Sequence, residues 1–297
     1  MKHKFVLVSA SIFAMSGLVS VAHATSLVDV CDETITDDTK VNGGGFTGDC
    51  TIGVDNAKLE IVGVITVIDG NLRIDDVTSV DGGAAELVIK NAQITIDKKL
   101  RIEETAWDGG VTFKNNHVDI GDDLRVQPVG AGDLIFKNNR GQVVDDIRLG
   151  DVIKDEDDED EIIGGLDGDM DVRNNRITMV NKKVEDPEDP DPTEFVAQSF
   201  DGHINVTNNR FGNRVGEIDI DSSGSGNIGV KNNRFLNTET VQEEIFITSE
   251  DGDVGVWNNT FGESVNEANI DIDSTTAQCE SKRNRPELVD QFACPSP

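Results

Sequence analysis

The stretch IGVKNNRF, from Ile228 to Phe235, contains the pattern that decides the fold. Its apolar residues Ile228 and Val230 alternate with polar or small ones, and two asparagines then interrupt the alternation before Phe235. Period-two alternation is typical of a β-strand with one buried face. Asparagine tolerates the left-handed backbone of a sharp corner better than other non-glycine residues. The stretch therefore predicts a strand, a corner and an inward-facing residue after the corner.

The same pattern occurs eight times along the chain. The first asparagines of the copies are Asn56, Asn91, Asn115, Asn138, Asn174, Asn208, Asn232 and Asn258. A repeating unit of roughly two dozen residues is typical of a solenoid coil. A further strand-like group, such as DLRVQ from Asp123 or EIDID from Glu217, follows most corners. Three strands per unit predict an all-β parallel β-helix of about eight to nine coils, in which these asparagines stack as an internal ladder.

In these features, and most clearly in VGVWNNTF from Val254 to Phe261, the chain resembles a known family. The family is the secreted right-handed parallel β-helix proteins of the pectate-lyase-like superfamily, whose coils also end a strand at an asparagine stack before an aromatic residue. The resemblance covers roughly residues 50 to 275 and implies a right-handed parallel β-helix. It implies no single activity, because members include lyases, hydrolases, esterases, epimerases, adhesins and inert fibres.

The chain ends differ in composition from the repeats. Lys2 and Lys4 precede an apolar run from Phe5 to Val21 and a small-residue site that ends at Ala24. This arrangement predicts a cleaved export signal, hence a secreted or periplasmic protein without membrane insertion. The expected division is a signal peptide at 1–24, an N-terminal cap at 25–50, the β-helix at 51–275 and a C-terminal cap at 276–297.

The four cysteines lie near the two ends, as Cys31 and Cys50 and as Cys279 and Cys294. Export favours disulfide formation, and four cysteines allow three pairings. Strands of successive coils stack about 4.8 Å apart, which separates the ends of the stack by tens of Å. The predicted pairs are therefore Cys31–Cys50 and Cys279–Cys294, each closing one end.

The chain is strongly acidic, with 57 acidic and 26 basic residues and a formal net charge of −31. This charge excludes nonspecific binding to nucleic acid or to an anionic membrane. Solubility, a salty habitat and a calcium-rich surface remain open as explanations. Two acidic insertions, Asp155 to Glu161 and Glu185 to Pro192, are predicted to be exposed loops that attract calcium only diffusely.

Cations collect beside the predicted corner. The residues immediately before the first asparagine are Asp55, Lys90, Lys114, Lys137, Arg173, Thr207, Lys231 and Trp257. Those two places after it are Lys58, Gln93, His117, Arg140, Arg176, Arg210, Arg234 and Thr260. Alternation points both sets outward, so stacking should form two columns. We call these two columns the basic edge.

A third outward column is predicted on the other strand set. It contains Arg73, Arg101, Arg125 and Arg148, which are flanked by acids such as Asp75, Glu103, Asp123 and Asp146. In later coils the corresponding sites are the pairs Asp219 with Asp221 and Asp271 with Asp273. The candidate ligand-binding residues are thus Arg73, Arg101, Arg125, Arg148, Lys114, Lys137, Arg173, Arg176, Arg210, Lys231, Arg234 and Trp257.

Two interpretations of the cations are open. Cations that repeat at strand spacing favour binding to an anionic polysaccharide or another cell-surface component. Alternatively, they are solvated residues that pair with neighbouring acids and discourage sideways association of the solenoid.

An enzyme acting on an acidic glycan, as a lyase, epimerase or hydrolase, is the second functional hypothesis. Lyases of the resembled family hold calcium with aspartates beside a basic residue, which makes Asp219, Asp221, Asp271 and Asp273 candidate calcium ligands. Against this, the chain lacks the Arg-x-Pro-x-x-Arg signature of those lyases, has no tyrosine and has two tryptophans, Trp107 and Trp257. A non-catalytic binding or structural role is favoured; no catalytic residue is identified and no cofactor beyond calcium is implied.

Overall fold

The computed structural model describes residues 24–77, 85–102, 107–150, 152–154, 162–180, 193–213, 215–237, 244–262, 270–274 and 278–285. Within these ranges the chain forms strands and one short 3-10 helix at Leu27–Asp29. No helix of the described part has the length and hydropathy needed to cross a membrane. The export signal up to residue 23, both acidic insertions and Cys294 lie outside the described residues.

Twenty-eight strands follow one another in the described ranges. They are β1 (Ala24–Thr25), β2 (Glu33–Ile35), β3 (Thr39–Thr47), β4 (Cys50–Val54), β5 (Lys58–Ile68), β6 (Leu72–Asp76), β7 (Glu86–Ile96), β8 (Leu100–Ile102), β9 (Val111–Lys114), β10 (His117–Ile120), β11 (Leu124–Val126), β12 (Leu134–Lys137), β13 (Arg140–Val144), β14 (Ile147–Leu149), β15 (Val152–Lys154), β16 (Ile162–Gly165), β17 (Met170–Arg173), β18 (Arg176–Val180), β19 (Thr193–Ser199), β20 (Ile204–Thr207), β21 (Arg210–Asn213), β22 (Val215–Ser222), β23 (Ile228–Lys231), β24 (Arg234–Asn237), β25 (Glu244–Ser249), β26 (Val254–Trp257), β27 (Ile270–Ser274) and β28 (Cys279–Lys282).

The strands stack into two parallel sheets, which confirms the predicted parallel β-helix as a β-solenoid. The ten-stranded sheet has the order β2-β4-β6-β8-β11-β14-β19-β22-β25-β27. The sixteen-stranded sheet bends around the corner: β9, β12, β17, β20, β23, β26 and β28 precede the corner, and β10, β13, β18, β21 and β24 follow it. The long strands β5 and β7 run through the corner and join the two parts. A separate antiparallel pair, β15 and β16, projects from the stack at one insertion.

Inward side chains form one continuous apolar core between the sheets. Phe113 and Phe136 stack with ring centroids 5.3 Å apart. Further along, Phe211, Phe235 and Phe261 form a second stack with centroid distances of 5.8 Å. The rings of each stack occupy equivalent positions in successive coils, so residues that repeat in the sequence contact one another in the core.

The first asparagine of every copy turns a corner. All eight have left-handed backbones, with φ between 49° and 57°, as predicted from the tolerance of asparagine for this conformation. Their side chains are exposed. Some amides bond to one another, as from Asn115 to Asn91 at 3.2 Å and from Asn138 to Asn115 at 2.9 Å.

The internal asparagine ladder is confirmed, but it lies one residue after the predicted positions. Its members are buried: Asn116, Asn139, Asn175, Asn209, Asn233, Asn259 and Asn284. The corner interrupts the alternation: the residue before it and the first asparagine both face outward, as Lys231 and Asn232 do, and the second asparagine faces the core. The ladder therefore depends on the second amide of each pair.

Asn56 belongs to a different corner from the other first asparagines. It follows β4, a strand of the ten-stranded sheet, whereas Asn91 lies within β7 of the sixteen-stranded sheet. In the two coils before Asn91, the equivalent bend contains Gly63 and Gly43, with φ of 83° and 79°. Copies of one sequence pattern therefore do not all occupy one column.

The stack of coils extends beyond the predicted boundaries of 51–275 at both ends. Strands β2 and β3 pair in parallel with β4 and β5, within the segment expected to be an N-terminal cap. Strand β28 pairs with β26, and Arg283 then turns a corner with φ of 59° before the buried Asn284. The segment expected to be a C-terminal cap thus begins with another rung.

The predicted disulfide Cys31–Cys50 is present. It closes the first coil, where Cys50 begins β4 and is fully buried. Cys279 is also disulfide-bonded. Its expected partner, Cys294, lies outside the described residues.

Candidate anion-binding edge

Four arginines after the corner lie in direct register. Arg140, Arg176, Arg210 and Arg234 are Cα partners in the successive strands β13, β18, β21 and β24. All four are exposed. Neighbouring strands are about 4.8 Å apart, so the four guanidinium groups repeat at that interval along the solenoid. We call these four residues the arginine column.

The arginine column has no countercharge in the part of the chain that the structure describes. No carboxylate of a described residue lies within 4.0 Å of any of the four guanidinium groups. Like charges directly opposite each other on neighbouring strands are destabilising. Among the described residues, the column is therefore a row of positive charge without ion-pair partners, on a chain whose net charge is −31.

A second column of cations runs on the other side of the corner. Its register is Lys90, Lys114, Lys137, Arg173, Thr207, Lys231, Trp257 and Lys282. We call it the lysine column. Lys90 pairs with Glu60 at 3.1 Å and Arg173 with Asp171 at 2.8 Å, whereas Lys114, Lys137 and Lys231 have no carboxylate within 4.0 Å among the described residues. This column is confirmed from Lys90 onward.

The first members predicted for the basic edge do not belong to it. Lys58 is the Cα partner of Glu86 and forms an ion pair with it at 2.6 Å. Asp55 lies beside Asn56, after β4. Both residues were expected at the basic edge because Asn56 was aligned with the later corner residues. Since Asn56 lies at a different corner, Lys58 and Asp55 lie outside the basic edge.

The exposed corner asparagines lie between the arginine and lysine columns. Near one end of the edge, a cleft of 660 Å³ is lined by Asn91, Asn115, Asn138, His117 and Arg140. Near the other end, a cleft of 720 Å³ is lined by Asn258, Thr260, Arg283 and Arg285. Amide groups can donate and accept hydrogen bonds, so the edge presents polar groups between its two rows of cations.

The arginines of the ten-stranded sheet form a column that is already neutralised over most of its length. Arg73, Arg101, Arg125 and Arg148 lie in register, as predicted. Arg73 pairs with Asp75 at 2.9 Å, Arg125 with Asp123 at 2.8 Å, and Arg148 with both Asp146 and Glu194. These ion pairs occupy three of the four guanidinium groups that the sequence offered as ligand-binding candidates, whereas the Nε atom of Arg101 is buried without a hydrogen-bond partner.

Asp123 is held as a carboxylate within this surface. It is only 2% exposed, and burial opposes its ionisation. Hydrogen bonds and charge from Lys99 and Arg125 outweigh burial and hold the pKa of Asp123 below its usual value. Asp122 and Asp145 lie close enough to share a cation with it, but Lys99 and Arg125 already bind the Asp123 carboxylate. The cluster is therefore ill suited to a metal ion.

The four candidate calcium ligands are not brought together by the strand register. The Cα partner of Asp219 is Phe246, and Asp271 is the next residue in that column. Two strand spacings, roughly 9.6 Å, thus separate the two aspartate pairs. Asp219 accepts a hydrogen bond from Gln198 at 2.9 Å, and Asp221 accepts one from Thr248 at 2.6 Å.

A column of three glutamates beside these aspartates was missed in the sequence. Glu194, Glu217 and Glu244 are Cα partners in β19, β22 and β25. Burial, together with the charges of Glu194 and Glu244, raises the pKa of Glu217 to about 7. Burial and the charge of Asp221 raise the pKa of Asp219 to about 6. The signal was present in EIDID and EIFIT, but Glu194 follows a long insertion and could not be aligned with them.

The chain matches no protein-family model, and comparisons with curated proteins and with solved structures also give no match. The resemblance to the pectate-lyase-like superfamily is therefore supported at the level of the parallel β-solenoid.

Proposed function

We propose that this protein is an exported, non-catalytic β-solenoid that binds an anionic polysaccharide, or a similar acidic polymer of a cell surface, along the basic edge. The arginine column is the observation that carries the proposal. Four arginines in register, without a countercharge among the described residues, form a surface whose repulsion an external anion would relieve.

The two arginine columns of the chain differ in whether their arginines have acidic partners. Both have one arginine per strand in direct register. On the ten-stranded sheet, Arg73, Arg125 and Arg148 each have an aspartate partner. Acidic residues outnumber basic ones by 57 to 26, so the chain contains enough acidic residues to pair with the arginine column as well. The arginine column lacks acidic partners among the described residues, which favours a ligand-binding role for its guanidinium groups.

The geometry favours an extended polymer over a small anion. The cations are spaced along the solenoid axis by single strand spacings of about 4.8 Å, so one linear chain can meet several of them in succession. Arginine binds carboxylate, sulfate or phosphate with two parallel hydrogen bonds. The strongly acidic remainder of the surface disfavours nonspecific contacts elsewhere on the protein.

An enzyme that cleaves or epimerises an acidic glycan is a second candidate, favoured by one observation. The pKa values of Glu217 and Asp219, about 7 and about 6, suit general acid or base chemistry near neutral pH. An assay for new reducing ends or unsaturated products on pectate, alginate and sulfated glycans tests it. Turnover that Glu217→Gln abolishes would favour the enzyme over the binding protein.

Retention on an immobilised polyuronate at low salt tests the binding proposal. The variant Arg176→Gln, Arg210→Gln, Arg234→Gln should elute at markedly lower salt than the wild type. A control of equal charge is Lys40→Gln, Lys58→Gln, Arg73→Gln, whose three cations each pair with an acid of the chain. The control should elute close to the wild type. An equal decrease in the eluting salt concentration for both variants, or a wild type that is not retained at low salt, would refute the proposal.

A further inference from the structure

Trp257 interrupts the lysine column with a flat aromatic surface. It lies in register between Lys231 and Lys282 on strands β23, β26 and β28. The side chain is partly exposed, in contrast to the fully buried Trp107. An indole beside a row of cations at the protein surface needs an explanation that core packing does not supply.

The indole lies over a position of its own strand that has no side chain. The indole folds back along β26 over Gly255, where any Cβ atom would overlap the ring. The Cα partner of Gly255 in the neighbouring strand is Gly229. The outward column through these positions reads Ile135, Asp171, Asn205, Gly229, Gly255 and Glu280 in the described rungs. Gly255 thus lets the ring lie flat along β26, and Gly229 beside it carries no side chain, although the side-chain oxygen of Asn205 lies close to the position that a Cβ atom would take there.

Polar donors surround this platform. A cleft of 480 Å³ is lined by Trp257, Gly229, Gly255, His203, Asn205 and Asn227, among others. His203 accepts the backbone N–H of Asn227 through Nδ1 at 2.8 Å, which leaves its Nε2–H as a donor. The side-chain oxygen of Asn227 accepts the N–H of Asp253, and its NH₂ group remains a donor toward the cleft.

Of the two carboxylates at the rim, Glu280 has a cationic partner, whereas Asp253 has only a backbone donor among the described residues. Asp253 accepts the backbone N–H of Gln278 at 3.0 Å, and Glu280 forms an ion pair with Lys282. Lys231, on the other side of the indole, has no carboxylate within 4.0 Å among the described residues. The platform therefore combines a flat apolar face, several donors and one available cation.

We propose that Trp257, on its glycine floor, is a stacking subsite for one sugar ring of a uronate polysaccharide, with Lys231 meeting the ring carboxylate. The ligand class of this inference rests on the proposed function. The subsite adds recognition of the sugar ring to recognition of its negative charge. An indole face packs against the C–H face of a pyranose, and the neighbouring donors suit its hydroxyl groups. A polyanion without rings would gain no binding affinity from stacking on this indole.

Binding of two polyanions to the wild type and to three variants tests the subsite. The probes are an oligogalacturonate and a polyacrylate of similar charge, which has carboxylates but no rings. Trp257→Ala should weaken oligogalacturonate binding about tenfold, while polyacrylate binding changes less than twofold. Gly255→Ala, which displaces the indole without removing it, should reproduce this selective loss. The variant Arg176→Gln, Arg210→Gln, Arg234→Gln should weaken both probes.

The fluorescence of the wild type gives an independent readout. Oligogalacturonate should change the emission of the wild type and leave that of Trp257→Ala, which reports the buried Trp107, unchanged. No emission change in the wild type at saturation, or equal losses on both probes for Trp257→Ala, would overturn the subsite. If the arginine variant binds both probes normally while the tryptophan effect persists, the basic edge fails and the subsite stands.

Discussion

The side-chain oxygen of Asn209 accepts two hydrogen bonds from Asn175 of the preceding coil, one from the backbone N–H and one from the side-chain amide, both at 2.9 Å. The side-chain nitrogen of Asn209 in turn donates to the carbonyl of Val172 at 2.8 Å and to Asn233 at 3.0 Å. Because the same arrangement links Asn139 to Asn175, buried backbone groups at each corner are satisfied by the neighbouring amide. The ladder therefore couples successive coils as well as turning them.

Removing one buried amide should strongly destabilise the stack. Asn209→Ala deletes four side-chain hydrogen bonds to neighbouring coils and leaves the buried backbone N–H of Asn175 unsatisfied. We expect a loss of about 3 kcal/mol in the free energy of unfolding. Chemical denaturation followed by circular dichroism measures it.

The neighbouring corner residue supplies the matched control for this ladder variant. Asn208 has a φ of 56° and an exposed side chain. Asn208→Gly keeps the left-handed backbone accessible and should change stability by less than about 1 kcal/mol. Equal losses for Asn208→Gly and Asn209→Ala would contradict the assignment of the ladder to the second asparagine.

The two arginine columns should respond to substitution with opposite signs. Arg176→Gln relieves repulsion from Arg140 and Arg210, so the free energy of unfolding should rise by a few tenths of a kcal/mol at low salt and the gain should disappear at high salt. Arg125→Gln removes a partner of the buried Asp123 and should lower stability by roughly 2 kcal/mol. Thermal unfolding at two salt concentrations tests both. A destabilised Arg176→Gln would mean that the arginine column is satisfied within the protein.

The glutamate column predicts a stability that falls with rising pH. Burial and the charges of Glu194 and Glu244 raise the pKa of Glu217 to about 7 from a usual 4.5. The folded state therefore holds this proton more tightly, and the resulting stability is complete below about pH 4.5 and lost as pH rises through about 7.

Glu217→Gln should remove most of this pH dependence. At pH 8 the variant should exceed the wild type by on the order of 1 kcal/mol, after allowance for solvent screening of a half-exposed group. At pH 4 the two proteins should be nearly equal. Glu33→Gln, at an exposed position outside the column, is the control and should match the wild type throughout. Parallel pH profiles for Glu217→Gln and the wild type would rule out the predicted shift.

The disulfide should stabilise the first coil in particular. Cys31 and Cys50 are 19 residues apart in sequence, and a loop of this length predicts a contribution of about 3 kcal/mol. In Cys31→Ala, Cys50→Ala, hydrogen exchange should accelerate first in β2 and β3, because terminal rungs of a solenoid have a neighbour on one side only. Exchange that accelerates uniformly along the whole stack would contradict this local role.

The sequence was sufficient to predict the coil, because strand alternation and the left-handed preference of asparagine are both local properties. It also predicted the lysine and arginine columns from Lys90 onward, since a fixed corner sets the register of every residue beside it. It was misleading at Asn56, where the same local pattern turns a different corner. The last rung was missed because Arg283 replaces the corner asparagine.

Neutralisation of the cations could be predicted only in part, because some partners lie two residues away, as Asp75 does from Arg73 and Asp123 from Arg125, whereas others come from other coils. Arg148 pairs with Glu194 across 46 residues of sequence, and only the register of β14 with β19 brings the two together. The same register sets Glu217 between Glu194 and Glu244, which raises its pKa. Ion pairing, both within one strand and between coils, therefore distinguishes the structural arginines from the candidate binding arginines.

Disulfide trapping tests most directly the claim that successive corners place the arginines in one column. Arg176 and Arg210 are Cα partners on adjacent strands, whereas Arg140 and Arg210 are two strands, or roughly 9.6 Å, apart. Under mild oxidation, Arg176→Cys with Arg210→Cys should crosslink in high yield, and Arg140→Cys with Arg210→Cys should not, because a disulfide does not span Cα atoms more than about 7 Å apart. Efficient crosslinking of the distant pair, or none in the adjacent pair, would contradict the column and the binding edge built on it.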